Sequence, residues 1–378
     1  MKIVVACDSY KGCLSSFEVA QCIEEGIHRF DSSFLVDKYA IGDGGEGTVE
    51  AIHRITEGTY VEAETFDAYF KKIKIRYCLC EQDKTAVIEV ANIIGLTMTS
   101  REKRAPMIAS SYGVGVVLLD ALKRGVSKII LGLGGSCTND GGMGLLQALG
   151  VIFYDEKHNI LSAQAISLEK IVEVDFTKLA DFSKIECIAA CDVDNHLLGE
   201  NGATHIFGKQ KGLFPNQLKR MEKGMNNYRN RILHSYGIDL NSFTGGGAAG
   251  GIGSVFIGIL KATMKPGIDL ICEYSDIEQV IEQCDLVITG EGQTDRQTQF
   301  GKVPMGIQRI ASKYNKPTVI VSGALGIGYQ SLYEVGFIGI YSIADRAMTF
   351  QQAIENAPNK LTETSYALIN TIAHFYNG

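Results

Sequence analysis

The chain opens on an uninterrupted apolar run, Ile3–Cys7, that stops at Asp8. A short, mostly β-branched run of this kind predicts a buried strand. A helical period follows over Ser15–Phe30, carried by Phe17, Ala20, Ile23 and Ile27. Ser15 or Ser16 is its expected N-cap, with Glu18 as the capping-box partner. Phe34–Ala40 reads as a second strand, Gly42–Gly47 as a loop and Thr48–Ile55 as a second helix. The β-loop-α-β-loop-α rhythm predicts an α/β layer around a parallel sheet.

The rhythm changes at Gly58. Tyr60–Glu64, Lys71–Cys80 and Thr85–Val90 are strand-like runs joined by turns with no helix between them, and they predict antiparallel strands. The α/β alternation then returns: helices over Gly113–Lys123, Gly141–Leu149 and Gln217–His234, strands over Lys128–Leu133 and Glu186–Cys191, and a buried helix over Ile252–Leu260. Asp285–Thr289, Thr318–Val321 and Ile338–Ser342 read as three more strands. The last stretch resembles the first in style. The expected fold is therefore α/β with two α/β domains: a Rossmann-like parallel-sheet domain built from both chain ends (1–62 and 270–378) and an inserted mixed α/β domain (63–269). Loops at the strand carboxyl ends would face the cleft between the domains, where open α/β sheets bind ligands.

Composition narrows the function. The formal net charge is −7 and no long basic run exists, which disfavours nucleic acid and anionic membranes as partners. The N-terminal apolar run is too short for a signal peptide, and no stretch approaches the roughly 20 apolar residues of a membrane helix, so a cytoplasmic location is expected. The 10 cysteines include no C-x-x-C pair. Cys78 and Cys80, on either side of Leu79, are expected on opposite faces of their strand, and the cysteines read as free buried thiols. The 42 glycines cluster in loops and mark special backbone there.

Those loops carry the chemistry. Asp8–Gly12, Gly42–Gly47, Gly134–Gly142, Cys191–Asn195 and Thr289–Asp295 each follow a strand, and most combine glycine with carboxylates. Glycines let backbone N–H groups meet phosphate oxygens, whereas carboxylates beside a bare phosphate would repel it. With Mg²⁺ present the acids become useful ligands, so the combination predicts Mg-nucleotide chemistry and phosphoryl transfer. Gly42, Gly44 and Gly47 formally match G-x-G-x-x-G, but this loop follows the second strand and carries two acids where a pyrophosphate would sit, which disfavours NAD. Asp192 and Asp194 would share a side if their strand continued. Ser136, Thr138 and Asn139 are candidate caps for the helix that follows them. Lys11 is a candidate contact for a phosphate or carboxylate, and Lys209 and Lys211 are candidates of the same kind. No Walker A motif and no H-x-x-x-H pair is present.

Together the loops resemble the type I glycerate kinases. Asp8-Ser9-Tyr10-Lys11-Gly12 is similar to that family's opening Asp-Ser-Phe-Lys-Gly, and Asp43-Gly44-Gly45-Glu46-Gly47-Thr48 matches its Asp-Gly-Gly-Glu-Gly-Thr. The loop Gly134–Gly142, Cys191–Asn195, Phe207–Gly212, Gly247–Gly251 and Thr289–Gly292 follow in the family's order. Lys209 and His196 stand where proline is usual, and Gln293 where arginine is frequent. The resemblance implies ATP as co-substrate with Mg²⁺, D-glycerate as acceptor and 2-phosphoglycerate as product, in a monomer or homodimer. Within it, Asp192 is read as the base, with Lys11 and Asp43 as the other catalytic candidates. Ser9, Lys11, Arg296 and Asn195 are read as substrate contacts. Gly134, Gly135, Ser136, Thr138 and Asn139 are read as nucleotide contacts, and Asp194, Glu291 and Asp295 as metal ligands. Kinases of other small hydroxy acids, and a non-catalytic nucleotide- or carboxylate-binding protein, are the alternatives.

Overall fold

The computed structural model describes residues 1–10, 12–41, 47–299 and 302–376. The chain divides into two compact units, one of Met1–Asp43 with Pro266–Gly378, the other of Gly44–Lys265.

The first unit begins with strand β1 (Lys2–Cys7), helix α1 (Ser16–Phe30) and strand β2 (Leu35–Ala40). Ser15 caps α1: its hydroxyl accepts from the Glu18 N–H, and the Glu18 carboxylate accepts from the Ser15 N–H, the reciprocal box anticipated from sequence.

The second unit then runs α2 (Thr48–Thr56), β3 (Thr59–Phe66), β4 (Lys72–Cys80), β5 (Thr85–Glu89), α3 (Ala91–Ile94), α4 (Tyr112–Lys123), β6 (Lys128–Gly132), α5 (Met143–Ala148), β7 (Ile152–Tyr154), β8 (Glu173–Asp175), β9 (Glu186–Ala190), α6 (Ala203–Phe207), α7 (Pro215–Tyr236), α8 (Ile252–Gly258) and β10 (Thr263–Lys265). The chain returns to the first unit with α9 (Gly267–Tyr274), α10 (Ile277–Glu282), β11 (Leu286–Thr294), α11 (Val303–Lys313), β12 (Thr318–Leu325), β13 (Gly339–Ser342) and α12 (Phe350–Tyr376).

In the first unit all strands run parallel in the order β13-β12-β11-β1-β2. Numbered within the unit this is 2-1-3-4-5, the flavodoxin-like doubly wound order, whose topological switch point lies between β1 and β11. Alternation sends Ile3, Val5 and Cys7, with Leu286, Ile288, Val319 and Val321, into one core with Val19, Ile23 and Ile27 of α1 and Leu361, Leu368 and Ile369 of α12. Pro358 lies inside α12. Proline has no N–H to give to the carbonyl four residues earlier, and that carbonyl, Ile354 O, accepts from Cys13 Sγ at 3.6 Å instead.

The second unit holds a mixed sheet in the order β10-β9-β6-β5-β4-β3. Within this sheet β3–β4 and β4–β5 are antiparallel, as the three turn-joined runs predicted, and β5 pairs parallel with β6, where the α/β alternation returns; β7 and β8 form a separate antiparallel pair. The first junction falls after residue 43, earlier than 62, because β3 pairs with β4 and α2 packs on β4 and β5.

Two further expectations are corrected here. Cys78 and Cys80 share a face, with their sulfurs 3.9 Å apart, because positions two apart on a pleated strand point the same way. Thr289–Asp295 is not a free loop. Strand β11 continues to Thr294, and Glu291, Gln293 and Thr294 pair with Ser322, Ala324 and Leu325 of β12. The cysteines are free thiols, all buried or half-buried. No helix among the described residues is long and apolar enough to cross a membrane.

Gly26 sets how closely α1 and α12 approach. A Cβ there would lie 2.4 Å from the Thr362 carbonyl oxygen and 2.8 Å from Ser365 Cβ. Alanine gains about 1 kcal/mol of helix propensity, but overpacking against a backbone atom costs about 1–3 kcal/mol. Gly26→Ala should therefore lower the thermal midpoint; an unchanged or higher midpoint would show that the helices separate freely.

Candidate active site

In the first unit the carboxyl edge of the sheet carries a cavity of about 480 Å³. Asp8, Ser9 and Tyr10 enter it from β1, Glu291 to Gln293 from β11, Gly323 and Ala324 from β12, and Ile343 and Ala344 from the end of β13. Met348 and the start of α12, with Phe350, Ala353, Ile354 and Ala357, give it an apolar wall. The position is the switch point, where strands leave the sheet in opposite directions and open a crevice. The size and the mixture of apolar wall with a few convergent polar groups suit a small-molecule site.

Glu291 organises the polar side. It is 4% exposed. Its Oε1 accepts from Thr298 Oγ1 at 2.5 Å and from Thr294 Oγ1 at 3.2 Å, and its Oε2 from Lys302 Nζ at 2.9 Å. Thr294 Oγ1 also meets Ser322 Oγ at 2.5 Å, tying β11 to β12. Tyr10, buried beneath, donates its hydroxyl to Val321 O at 2.9 Å, and burial raises its pKa well above the usual range. Ser9 donates to Asp8 Oδ1 from its N–H at 2.6 Å and its hydroxyl at 3.3 Å.

The other metal candidates are placed differently. Asp295 closes its own turn, accepting from the Gln297 N–H at 2.7 Å and Gln293 Nε2 at 3.4 Å. Asp194 is exposed in the second unit. Mg²⁺ binds through oxygens, commonly one or two carboxylates. Both Glu291 oxygens are answered by its own unit and Asp295 caps its own turn, and among the described residues no group of three His, Cys, Asp or Glu side chains could hold an ion. Arg296 is exposed, donates its N–H to Ile327 O at 3.2 Å and does not line the cavity. Lys11 and Asp43 lie outside the described residues, as does most of the Gly42–Gly47 loop.

In the second unit the glycine loop follows β6. Gly134 is half-buried, Gly135 exposed and Ser136 buried, whereas Thr138, Asn139 and Asp140 are fully buried. Thr138 and Asn139 thus face the interior: Thr138 O accepts from Lys211 Nζ at 2.7 Å, and Asn139 Nδ2 donates to Thr204 Oγ1 at 3.0 Å. The accessible part of the loop is Gly134–Gly135, with Ser136 buried beside it. Left-handed backbone at Gly135, Gly141 and Gly142 bends it. Leu96 N donates to Gly135 O at 2.7 Å, Cys137 N to Ile94 O at 2.9 Å and Gly141 N to Gly250 O at 2.9 Å.

None of the anticipated caps closes α5. Its N-cap is Gly142, and the work falls to Asp140, a residue given no role from sequence. Its Oδ2 accepts from the Ser111 N–H (2.7 Å), Ser111 Oγ (2.8 Å) and the Gly144 N–H (3.2 Å), and its Oδ1 from the Gly142 N–H (3.2 Å). Ser111 Oγ in turn accepts from the Leu145 N–H at 2.9 Å, so one carboxylate joins the starts of α4 and α5. Burial raises the Asp140 pKa, and these four donors work against that shift. Lys211, between Gln210 and Gly212, is 3% exposed and donates to Ser136 Oγ at 2.9 Å as well as to Thr138 O. Its burial pulls its pKa down to about 8.

Strand β9 ends at Ala190, so strand alternation no longer governs Asp192 and Asp194. Asp192 is half-buried. Asn195 donates from Nδ2 to Asn201 O at 2.8 Å and accepts the Gly247 N–H on its carbonyl at 2.8 Å, which anchors the Gly247–Gly251 segment. The structure therefore gathers Ser9 and Glu291 around one cavity, and Gly134, Gly135 and Ser136 along one loop edge. Lys302 and Lys360 line the first of these places, and Lys211 lies beside the second. Sequence reasoning assigned Lys302 no role, because Gly301-Lys302 lacks the upstream glycine and the following Ser or Thr of a Walker A motif.

Removing the Asp140 carboxylate would strand four buried donors. At about 1–3 kcal/mol for each unsatisfied group, partly relaxed, Asp140→Ala should cost on the order of 3–5 kcal/mol, measured by chemical denaturation. A loss under about 1 kcal/mol would show that water replaces the carboxylate.

The glycerate kinase family model matches residues 3–373. The chain is 36% identical over 366 residues to a glycerate kinase of Bacillus cereus, covering 97% of this chain and 96% of that one. It is 36% identical over 375 residues to the glycerate 2-kinase of Escherichia coli K12, covering 99% and 98%. A crystal structure from Salmonella typhimurium LT2, provisionally assigned as glycerate kinase 2, superposes with a TM-score of 0.82 at 35% identity, covering 100% of this chain and 99% of that one. With a family model and full-length relatives agreeing, this chain belongs to the glycerate kinase family.

Proposed function

We propose that the chain transfers the γ-phosphoryl group of ATP to a hydroxyl of D-glycerate, giving 2-phosphoglycerate and ADP. Family membership over residues 3–373 carries this reading. The two places built for polar ligands, the switch-point cavity and the edge of the glycine loop, support it. In the step, the glycerate hydroxyl oxygen attacks the γ-phosphorus and the bond to the β–γ bridging oxygen breaks. ADP leaves with that electron pair, and the hydroxyl proton passes to a carboxylate.

Asp192 is the proposed base. It follows a buried strand and is half-buried, so a substrate can reach it. Asp43 and Lys11 keep their proposed catalytic roles. Gly134, Gly135 and Ser136 present backbone and hydroxyl donors to phosphate. Thr138 and Asn139 serve the same loop from inside, as its supports. Ser9 offers a hydroxyl and Lys302 a cation to the first unit's cavity. Asn195 and Arg296 contribute to glycerate binding only if their surroundings rearrange, since Asn195 is committed to the backbone and Arg296 lies off the cavity. Magnesium enters as part of the nucleotide substrate. A cytoplasmic location, with ATP at hand, fits this chemistry.

The direct check is ADP release that depends on D-glycerate. Asp192→Asn should lower kcat by about 10²–10⁴, the usual worth of a general base, while ATP still binds. Turnover within a few-fold of normal would remove Asp192 from that role. Glu291→Gln keeps shape but frees Lys302; it should weaken binding of whichever substrate fills the cavity about 10-fold, the size expected for a lost charge-assisted pair. Unchanged affinity for both substrates would place binding elsewhere.

A further inference from the structure

Lys211 is a buried cation whose hydrogen-bond partners are all neutral. Its side chain reaches only Ser136 Oγ and Thr138 O. An ammonium has three donors, and among the described residues no third acceptor lies in reach and no carboxylate lies within 4.0 Å. Asp140 acts on it only at longer range, with its own oxygens taken by Ser111, Gly142 and Gly144. Arg104 shows the same feature nearby: its guanidinium donates to the carbonyls of Leu96 (3.0 Å), Thr99 (3.2 Å) and Gln210 (3.0 Å) and, among the described residues, to no acid. Leu96 is the residue that holds Gly135, and Gln210 precedes Lys211.

Taking an ammonium out of water costs several kcal/mol, and neutral acceptors recover only part of it. The missing component is an anion. The place for one is the open edge of the loop, because Gly135 is exposed and Ser136, its neighbour, already touches the ammonium. We propose that Lys211, with Ser136 and the backbone of Gly134–Gly135, forms an oxyanion site that holds a phosphoryl oxygen of the nucleotide. The assignment rests on the kinase reading and adds to it the residue that answers the phosphate charge. A glycine-rich backbone supplies N–H groups suited to phosphate, and Lys211 supplies the compact charge.

The proposal fixes a pH signature. Lys211 loses its proton near pH 8 in the free protein, because burial disfavours the charged form. An anion beside it favours that form, so binding takes up a proton above that pH and affinity falls as pH rises further. The charged and titratable groups around it do not mimic this. The Cys137 thiol is pushed up to about 11, burial holds the Tyr228 hydroxyl well above its usual range, and the hydrogen-bonded Asp140 and Arg104 lie on the other elements described.

The test is calorimetric titration of the full chain with ADP, ATP, adenosine and D-glycerate. Two variants are compared with the native chain: Lys211→Met, and Lys211→Gln, which keeps a donor for the loop oxygens without the charge. Both should weaken ADP and ATP by about 10–100-fold, the range for a lost charge-assisted contact, and leave adenosine and glycerate within about 2-fold. ADP affinity should fall between pH 8 and pH 9.5 in the native chain, with buffer-dependent heats reporting proton uptake, and stay flat in either variant. If Lys211→Met does not fold, Lys211→Gln decides alone. Native ADP affinity in a folded Lys211→Gln protein, or a loss confined to glycerate, would overturn the proposal. Lys211-dependent ADP binding in a chain that phosphorylates no glycerate would sink the functional reading and leave this site standing.

Discussion

The second unit is governed by one constraint: a carboxylate taken out of water must have its lone pairs answered, or the fold loses several kcal/mol. Asp140 meets that demand with donors from Ser111, Gly142 and Gly144, and in doing so fixes where α4 and α5 begin. The glycine loop takes left-handed turns at Gly135, Gly141 and Gly142, and it is held by hydrogen bonds together with the core packing of Leu133, Cys137 and Met143. Lys211 completes the support from the opposite side, through Ser136 and Thr138. Gly134 and Gly135 are the part of the loop left accessible, with Ser136 buried beside them. The interior of the loop serves to keep that edge rigid, which is what a phosphate cradle requires.

The first unit reaches a similar end by topology. A parallel sheet in the order 2-1-3-4-5 diverges beside β1, and the segments that follow β1 and end β11 meet at the gap. Glu291 stiffens one side of it by engaging Thr294, Thr298 and Lys302, while the first turns of α12 supply the apolar wall. Gly26 lets α12 lie close on α1, and Pro358 leaves a carbonyl that Cys13 fills. Features far apart in the chain therefore shape one cavity.

Local patterns were legible. The Ser15–Glu18 capping box, the strand that ends at Asp8, the amphipathic α1 and the helix after Lys211 follow from neighbours within a turn or two, and sequence displays those directly. The nonlocal features were not. Nothing in the order of residues says that β11 runs on through Gly290-Glu291-Gly292 because β12 offers a ladder as far as Leu325. Burial was equally hidden: Thr138 and Asn139 look like ligand contacts in a polar loop, yet they point inward, and Asp140 and Lys211 matter because they are buried polar groups. Lys211 was one of several candidate anion contacts in sequence, and only its burial separates it from the others. Cys78 and Cys80 were misplaced for a simpler reason, since a period of two puts them on one face.

The central claim is that these supports exist to serve phosphoryl transfer to glycerate. Phosphorus NMR of the product formed by the purified protein from Mg-ATP and D-glycerate tests it most directly. The account predicts the resonance of 2-phosphoglycerate, growing in step with ADP. A 3-phosphoglycerate resonance would keep the kinase and overturn the choice of hydroxyl, and intact ATP with no phosphorylated acid would contradict the account.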